Sequence, residues 1–209
     1  MEKLVFVVDD DESVRTSVAR LLRSAGHDVR AFSSAERFLE EYSHTSPACL
    51  VLDMRLSTAS GFDVIDALAR RDVTLPVIFI TGYGSIPMTV RAMKAGAQEF
   101  LTKPVDSDEL LRAVEEGLAR AETDFEMQRE LRESTQRYAT LTQREREVLG
   151  LAIGGLMNKQ IAIELGIQEV TAKVHKQKVM EKMGARNLID LAKLAQRLKI
   201  ASTKNRYTS

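Results

Sequence analysis

Residues 49–53 read Cys-Leu-Val-Leu-Asp, an apolar run that stops on a carboxylate. A continuous apolar run of this kind, bounded by polar sequence, predicts a strand buried on both faces, as in a parallel sheet covered by helices. Asp53 then stands at the carboxyl end of its strand, the edge where open α/β sheets hold their ligands. The same pattern recurs on either side. Leu4-Val5-Phe6-Val7-Val8 runs into Asp9-Asp10, Val77-Ile78-Phe79-Ile80 into Thr81, and Phe100-Leu101 through Thr102 into Lys103-Pro104. If these runs are neighbouring parallel strands, three carboxylates, a hydroxyl and an ammonium converge at one edge, forming an acidic cation site with a nucleophile in it.

Helical signals fill the intervals. Asp11-Glu12-Ser13 can cap a helix carrying Val14, Val18, Leu21 and Leu22, and Ser33-Ser34 caps one through Phe38 and Leu39. Phe62, Ile65, Leu68 and Ala69 mark a third, and residues 87–95 a fourth that Gly96 closes. With a short strand at Asp28-Val29-Arg30-Ala31-Phe32, strands and helices alternate five times, which predicts a parallel sheet with helices on both faces. From Asp106 the helical pattern continues, dense in both charges, through Phe125, Met127 and Leu131. It reads as a fifth helix extended into a helical linker over residues 122–140, frayed near Ser134-Thr135; a disordered tether is the alternative that mixed charge also permits.

The formal net charge of the 209 residues is zero, but the halves differ. Residues 1–137 hold 17 Lys and Arg against 24 Asp and Glu, while residues 138–209 hold 13 against 6. An acidic half suits a divalent cation and a basic half suits a polyanion such as nucleic acid. No apolar stretch approaches the roughly 18 residues of a membrane helix, and the chain opens on a strand pattern, so a cytoplasmic protein is expected. Cys49, within a strand, reads as a buried apolar residue, and His27, His44 and His175 show no ligand spacing.

The basic half is helical. Thr142 with Glu145 forms a capping box, and Val148, Leu149 and Ala152 continue the apolar face. After Gly154-Gly155, Asn158 is expected to cap a short helix with Ile161, Ala162 and Leu165, which Gly166 ends. The next helix starts near Gln168-Glu169-Val170-Thr171 with Val174, Val179 and Met183 expected inward, and a last one runs from about Asn187 to Lys199. Short helix, glycine turn, basic helix is the helix-turn-helix layout.

The set Asp9-Asp10, Asp53, Thr81 and Lys103-Pro104, in that order, resembles the receiver domain of two-component response regulators. The final 70 or so residues resemble the LuxR-type helix-turn-helix domain, so the whole chain resembles the NarL/FixJ class. The resemblance implies a CheY-like, flavodoxin-like receiver of five parallel strands and five helices over residues 1–121. A small all-α DNA-binding domain would follow at 141–209. It implies phosphorylation of Asp53 by a sensor histidine kinase, with Mg²⁺ held by Asp10, Asp53 and the backbone carbonyl of Arg55 and a metal-bound water held by Asp9. Lys103 and Thr81 would serve the phosphoryl group, and Phe100 would be the switch aromatic that moves with Thr81. The protein would be a transcription regulator, an enzyme only in its own phosphoryl transfer and dephosphorylation. It would bind double-stranded DNA, as a homodimer when phosphorylated. Position on the basic helix and the resemblance together assign Lys173, Val174 and Gln177 to bases, and Asn158, Lys159, Thr171, His175 and Lys176 to phosphates. Pairing surfaces would be the last helix, through Leu188, Leu191 and Leu194 to Leu198, or the region from Met88 to Phe100.

Two departures stand out. Ser57 occupies the place where the family usually has proline, so the loop after Asp53 is expected to be less constrained. In the family, the positions that Arg55 and Tyr83 fill modulate attack of water on the phosphoryl group, and both residues are expected to be bulky enough to shield an acyl phosphate partly. A haloacid-dehalogenase type phosphatase also uses an Asp at a strand end, but wants a second Asp where Arg55 stands. A constitutive DNA-binding protein with a receiver used only for protein contacts keeps the fold and discards the switch.

Overall fold

The computed structural model describes residues 3–43, 45–82 and 84–203. It divides into two compact units, Met1–Glu126 and Met127–Ser209. Of the residues singled out above, His44 and Tyr83 lie outside the described residues.

The first unit carries β1 (Leu4–Val8), β2 (Asp28–Phe32), β3 (Ala48–Asp53), β4 (Val77–Thr81) and β5 (Glu99–Thr102). They alternate with α1 (Glu12–Ser24), α2 (Ala35–Glu41), α3 (Gly61–Arg70), α4 (Ile86–Lys94) and α5 (Ser107–Ala139). The strands are all parallel, in the order β2-β1-β3-β4-β5. The first connection therefore steps one way across the sheet and the later ones step the other way. Right-handed crossovers then put α1 on the face opposite α2, α3 and α4.

The core follows that division. Phe6, Val8, Leu50, Leu52 and Phe79 pack with Phe38 of α2, Val64 and Leu68 of α3 and Ala92 of α4. The alternate strand residues Val5, Val7, Val51, Ile78 and Ile80 pack with Val18 and Leu22 of α1 and Leu110, Val114 and Leu118 of α5. Every residue of β3 is buried, as its unbroken apolar run predicts. Phe6 meets the rings of Phe38 and Tyr42 edge-on at centroid separations of 5.3 and 5.5 Å. α3 can approach the sheet closely only because Gly61 lacks a side chain: a Cβ there would lie 2.5 Å from the Phe79 ring and 3.1 Å from the Asp53 carbonyl oxygen.

The second unit holds the end of α5, then α6 (Gln143–Ile153), α7 (Asn158–Leu165), α8 (Glu169–Met183) and α9 (Leu188–Arg197). Val148, Leu151, Ala152, Ile161, Ala162 and Ala172 form one cluster; Leu141, Leu149, Val179, Met183 and Leu191 form another. The capping box at Thr142 and Glu145 is present with both bonds. Gly166 ends α7 with φ of 62°, a left-handed conformation that glycine adopts without a Cβ penalty.

Three expectations are corrected here. Asn158 is the first residue of α7 and not its cap; Met157 holds that place, its amide donating to the Gln160 side chain at 2.8 Å. Val174 is 45 % exposed, because Ala172, Val179 and Met183 define the inward stripe of α8 and Val174 falls well round the helix from it. No fraying occurs at Ser134-Thr135: α5 runs through them, with Ser134 buried and the Thr135 hydroxyl donating to the Leu131 carbonyl. In α9, Leu191 belongs to the core and Leu194 and Leu198 pack against it, leaving Leu188 and Ile189 exposed.

Candidate metal centre and nucleic-acid interface

Strand order reverses between β1 and β3, and a doubly wound sheet opens its crevice at the carboxyl ends of such a pair. Asp9 follows β1, Asp53 ends β3, Thr81 ends β4 and Lys103 follows β5. Carboxylate oxygens of Asp9, Asp10 and Asp53 come within 4.8 Å of one another. Asp9 is 3 % exposed and Asp53 8 %. Lys103 Nζ spans them, 2.8 Å from Asp9 Oδ2 and 3.1 Å from Asp53 Oδ2. The other oxygens are also engaged: the Asp11 amide donates to Asp9 Oδ1 at 2.9 Å and the Arg55 amide to Asp53 Oδ1 at 3.3 Å.

Three carboxylates face one ammonium. Burial pushes the Asp9 carboxyl above its ordinary pKa and the neighbouring Asp53 charge adds to this, so the bond from Lys103 only partly compensates. Burial works against the charge of Lys103 too, but its bonds to Asp9 and Asp53 prevail and its pKa is raised. The crevice thus carries an excess of negative charge among oxygen donors. That donor set suits a hard divalent cation such as Mg²⁺.

The chain after Asp53 is held more firmly than Ser57 suggests. Arg55 and Ser60 form an antiparallel bridge, closed by Gly61 N–H to Met54 O at 2.9 Å and Leu56 N–H to Ala59 O at 3.0 Å. The Arg55 carbonyl itself is not used in those two bonds. Thr58 Oγ1 also donates to Glu36 Oε1 on α2 at 2.8 Å. Thr81 is buried at the end of β4, and its backbone carbonyl accepts from the Lys103 amide at 2.7 Å. Phe100 is half-buried against the α2–α4 side of the core. A Cβ on Gly84 would lie 2.8 Å from Thr102 Cγ2, 3.6 Å from the Phe100 ring and 3.9 Å from Thr81 Cγ2, so Gly84 lies close against Thr102 with Phe100 and Thr81 nearby.

On the second unit, Lys159, Thr171, Lys173, Val174 and Gln177 are exposed, while Asn158, His175 and Lys176 are half-buried. Lys173, Val174 and Gln177 lie on one outward face of α8. Asn158 Oδ1 and His175 Nδ1 are buried atoms with no hydrogen-bond partner.

Arg15 and Glu36 are neighbours of the site that sequence reasoning passed over. Arg15 Nη1 donates to the carbonyls of Asp9 and Asp10, and Glu36 holds the loop after Asp53. A signal for Arg15 existed: a cation one turn into a helix stands against the macrodipole and calls for another reason to be there. Among the described residues no helix is long and apolar enough to cross a membrane.

A doubly wound sheet with an acidic pocket at its switch point, joined to a helix-turn-helix, defines a class of regulatory protein with an input domain and a DNA-binding output domain. Comparison with known proteins agrees. Residues 5–115 match the response regulator receiver domain, and residues 139–195 match the luxR family of bacterial regulatory proteins. Nodulation protein W of Bradyrhizobium diazoefficiens is 46 % identical over 205 residues, covering 98 % of this chain and 90 % of that protein. Transcriptional regulatory protein FixJ of Azorhizobium caulinodans is 40 % identical over 191 residues, covering 91 % and 90 %. Among solved structures, that of response regulator StyR is 47 % identical with a TM-score of 0.86, covering 94 % of this chain and all of that one. The chain belongs to the two-component response regulators that join a receiver domain to a DNA-binding LuxR-type domain.

Proposed function

We propose that Asp53 accepts a phosphoryl group from the phosphohistidine of a sensor histidine kinase and that this event controls DNA binding by α8, in the cytoplasm. The observation that carries the reading is Lys103 bridging Asp9 and Asp53 beside Asp10, at the switch point of the sheet. An Asp53 oxygen attacks phosphorus as the bond from phosphorus to the kinase imidazole nitrogen breaks, leaving an acyl phosphate on Asp53. Asp10, Asp53 and the Arg55 carbonyl would hold Mg²⁺, with Asp9 holding a metal-bound water, and the ion would supply positive charge against the phosphoryl oxygens. Lys103 exchanges its Asp53 contact for a phosphoryl oxygen, and the Thr81 hydroxyl donates to another. Drawing Thr81 inward gives Phe100 room to follow, which converts a local charge into a changed surface.

On α8, Lys173, Val174 and Gln177 reach base edges in the major groove, and Asn158, Lys159, Thr171, His175 and Lys176 bind phosphates. Their support is the outward face of α8 that Lys173, Val174 and Gln177 share, with Thr171, His175 and Lys176 on the same helix and Asn158 and Lys159 at the start of α7, in a basic helix-turn-helix unit. A single module of this size covers about one half-site, so the phosphorylated form acts as a homodimer. Arg55, whose amide donates to Asp53, shields the acyl phosphate from water.

The test is DNA binding by the full chain and by Asp53→Ala, with and without Mg²⁺ and acetyl phosphate, on operators selected from a random pool. The wild type alone is expected to tighten with the phosphodonor, and only with Mg²⁺ present. Equal binding by both proteins in every condition would show a constitutive DNA-binding protein whose receiver serves protein contacts.

A further inference from the structure

We propose that Arg15 is a positioning residue for the acidic pocket: it fixes the backbone from which Asp10 presents its carboxylate, and so sets the pocket's affinity for a divalent cation. The inference rests on the reading of Asp9, Asp10 and Asp53 as cation ligands.

The three carboxylates are not held alike. Asp9 accepts from Lys103 and the Asp11 amide, and Asp53 from Lys103 and the Arg55 amide. Asp10 is exposed, and among the described residues nothing donates to its carboxylate. The base from which its χ1 and χ2 aim it, the Cα–Cβ direction, is set by its own φ and ψ, that is, by the two peptide planes on either side of its Cα. Both planes carry a carbonyl bound to the same atom: Arg15 Nη1 donates to the Asp9 oxygen at 2.8 Å and to the Asp10 oxygen at 3.3 Å. That nitrogen bears two hydrogens, so one planar group ties both planes at once.

The flanks complete the clamp. The Asp9 amide donates to the Phe32 carbonyl at 3.2 Å, which anchors the segment to β2. Asp11 caps α1, accepting from the Ser13 and Val14 amides. Asp10 lies between these anchors, and Arg15, half-buried on the first turns of α1, supplies the constraint that neither gives. A guanidinium keeps its charge and its geometry, whereas a lysine offers a single compact donor that cannot hold two planes in a fixed relation.

Ligands held from behind lose about tenfold or more in metal affinity when the outer partner is removed. Mg²⁺ alone is the probe, titrated into ¹⁵N-labelled full chain and followed through backbone amide shifts around Asp10, Asp11 and Arg55. Arg15→Ala is expected to raise the half-saturating Mg²⁺ concentration roughly tenfold, with Arg15→Lys between it and the wild type. Arg20→Ala, an exposed change on the same helix, should leave it unmoved. Phosphorylation by acetyl phosphate should show the same shift in Mg²⁺ requirement, with its plateau rate retained. A purely structural Arg15 would lower the melting temperature and leave half-saturation alone, and wild-type half-saturation in Arg15→Ala and Arg15→Lys overturns the proposal. If the wild type shows no saturable response, or Asp10→Asn responds as the wild type does, the ligand reading falls and the proposal falls with it.

Discussion

Each unit of the molecule contains buried carboxylate held by a lysine, and the two cases differ in a way that separates a site from a strut. In the second unit, Glu145 at the start of α6 is 3 % exposed and accepts from Lys182 Nζ at 2.6 Å and from the Thr142 amide at 2.8 Å. One carboxylate meets one ammonium, and the Lys182 bond, with the Thr142 amide behind it, holds the Glu145 carboxyl below its ordinary pKa. In the first unit, Lys103 serves two buried carboxylates with a third beside them, and the Asp9 carboxyl is raised. The balanced pair joins α6 to α8 and needs nothing more. The unbalanced cluster stays short of positive charge, and that deficit is what a cation relieves.

The contrast is broken most directly at Lys103. Lys103→Met leaves Asp9 and Asp53 buried without their shared cation, a loss expected to cost about 3 kcal/mol at neutral pH. Added Mg²⁺ should restore much of the melting temperature, because it replaces the missing charge. The deficit should also narrow as pH falls, since protonating Asp9, already raised in pKa, removes the repulsion. A variant that melts like the wild type with and without Mg²⁺ would contradict the account of the pocket as charge-deficient.

Lys182→Met probes the balanced pair. Its expected cost is about 2 kcal/mol, that of a hydrogen bond to a charged group, lowered because Lys182 is part-exposed. Here Mg²⁺ should rescue nothing. Because the folded pKa of Glu145 is depressed, its stabilisation is present above its ordinary value of 4.5 and is lost as pH falls through the lowered folded value. Wild type and Lys182→Met should therefore converge below that range, as read by hydrogen exchange of α6 amides in the full chain. Divergence that grows with acidity would reverse the sign and sink the assignment.

The DNA-facing residues give a third point of comparison, since they use exposed charge instead of buried charge. Lys173→Ala should cost about 1.5 kcal/mol on the selected operator and relax preference at one base position. Lys176→Ala should weaken all sequences alike and lower the slope of affinity against salt by about one. Equal losses on operator and random DNA for Lys173→Ala would move that residue to the phosphate group.

These regions also differ in how far the sequence discloses them. The strand-end set was legible because a buried strand declares its end abruptly: the run to Asp53 stops on a charge that could not lie within it. The Thr142–Glu145 box was legible because its two bonds are local. Contacts made across the fold were not. Nothing near Lys103 in sequence says that it bridges residues 94 and 50 positions away, and nothing near Ser57 says that Thr58 is tied to Glu36. Helix ends misled for a different reason: Asn158 has the chemistry of a cap, but Gln160 reaches back to the Met157 amide and starts α7 one residue earlier. Apolarity alone puts Val174 inward, while the phase of Ala172, Val179 and Met183 turns it out.

The smallest effect expected is that of Thr142→Ala, and it tests whether the balanced pair stands on its own. The Thr142 hydroxyl accepts from the Glu145 amide at 3.3 Å, while its own amide donates to the Glu145 carboxylate. The substitution removes the first bond and keeps the second, so the usual cap loss of about 1 kcal/mol is expected. If the carboxylate is fixed mainly by Lys182, the cost should be the same with Lys182→Met added, and the two changes should be additive. If the cap aims Glu145 at Lys182, the double variant should cost less than the sum. Additivity within about 0.3 kcal/mol in thermal or denaturant unfolding would make the pair and the cap separate supports of α6.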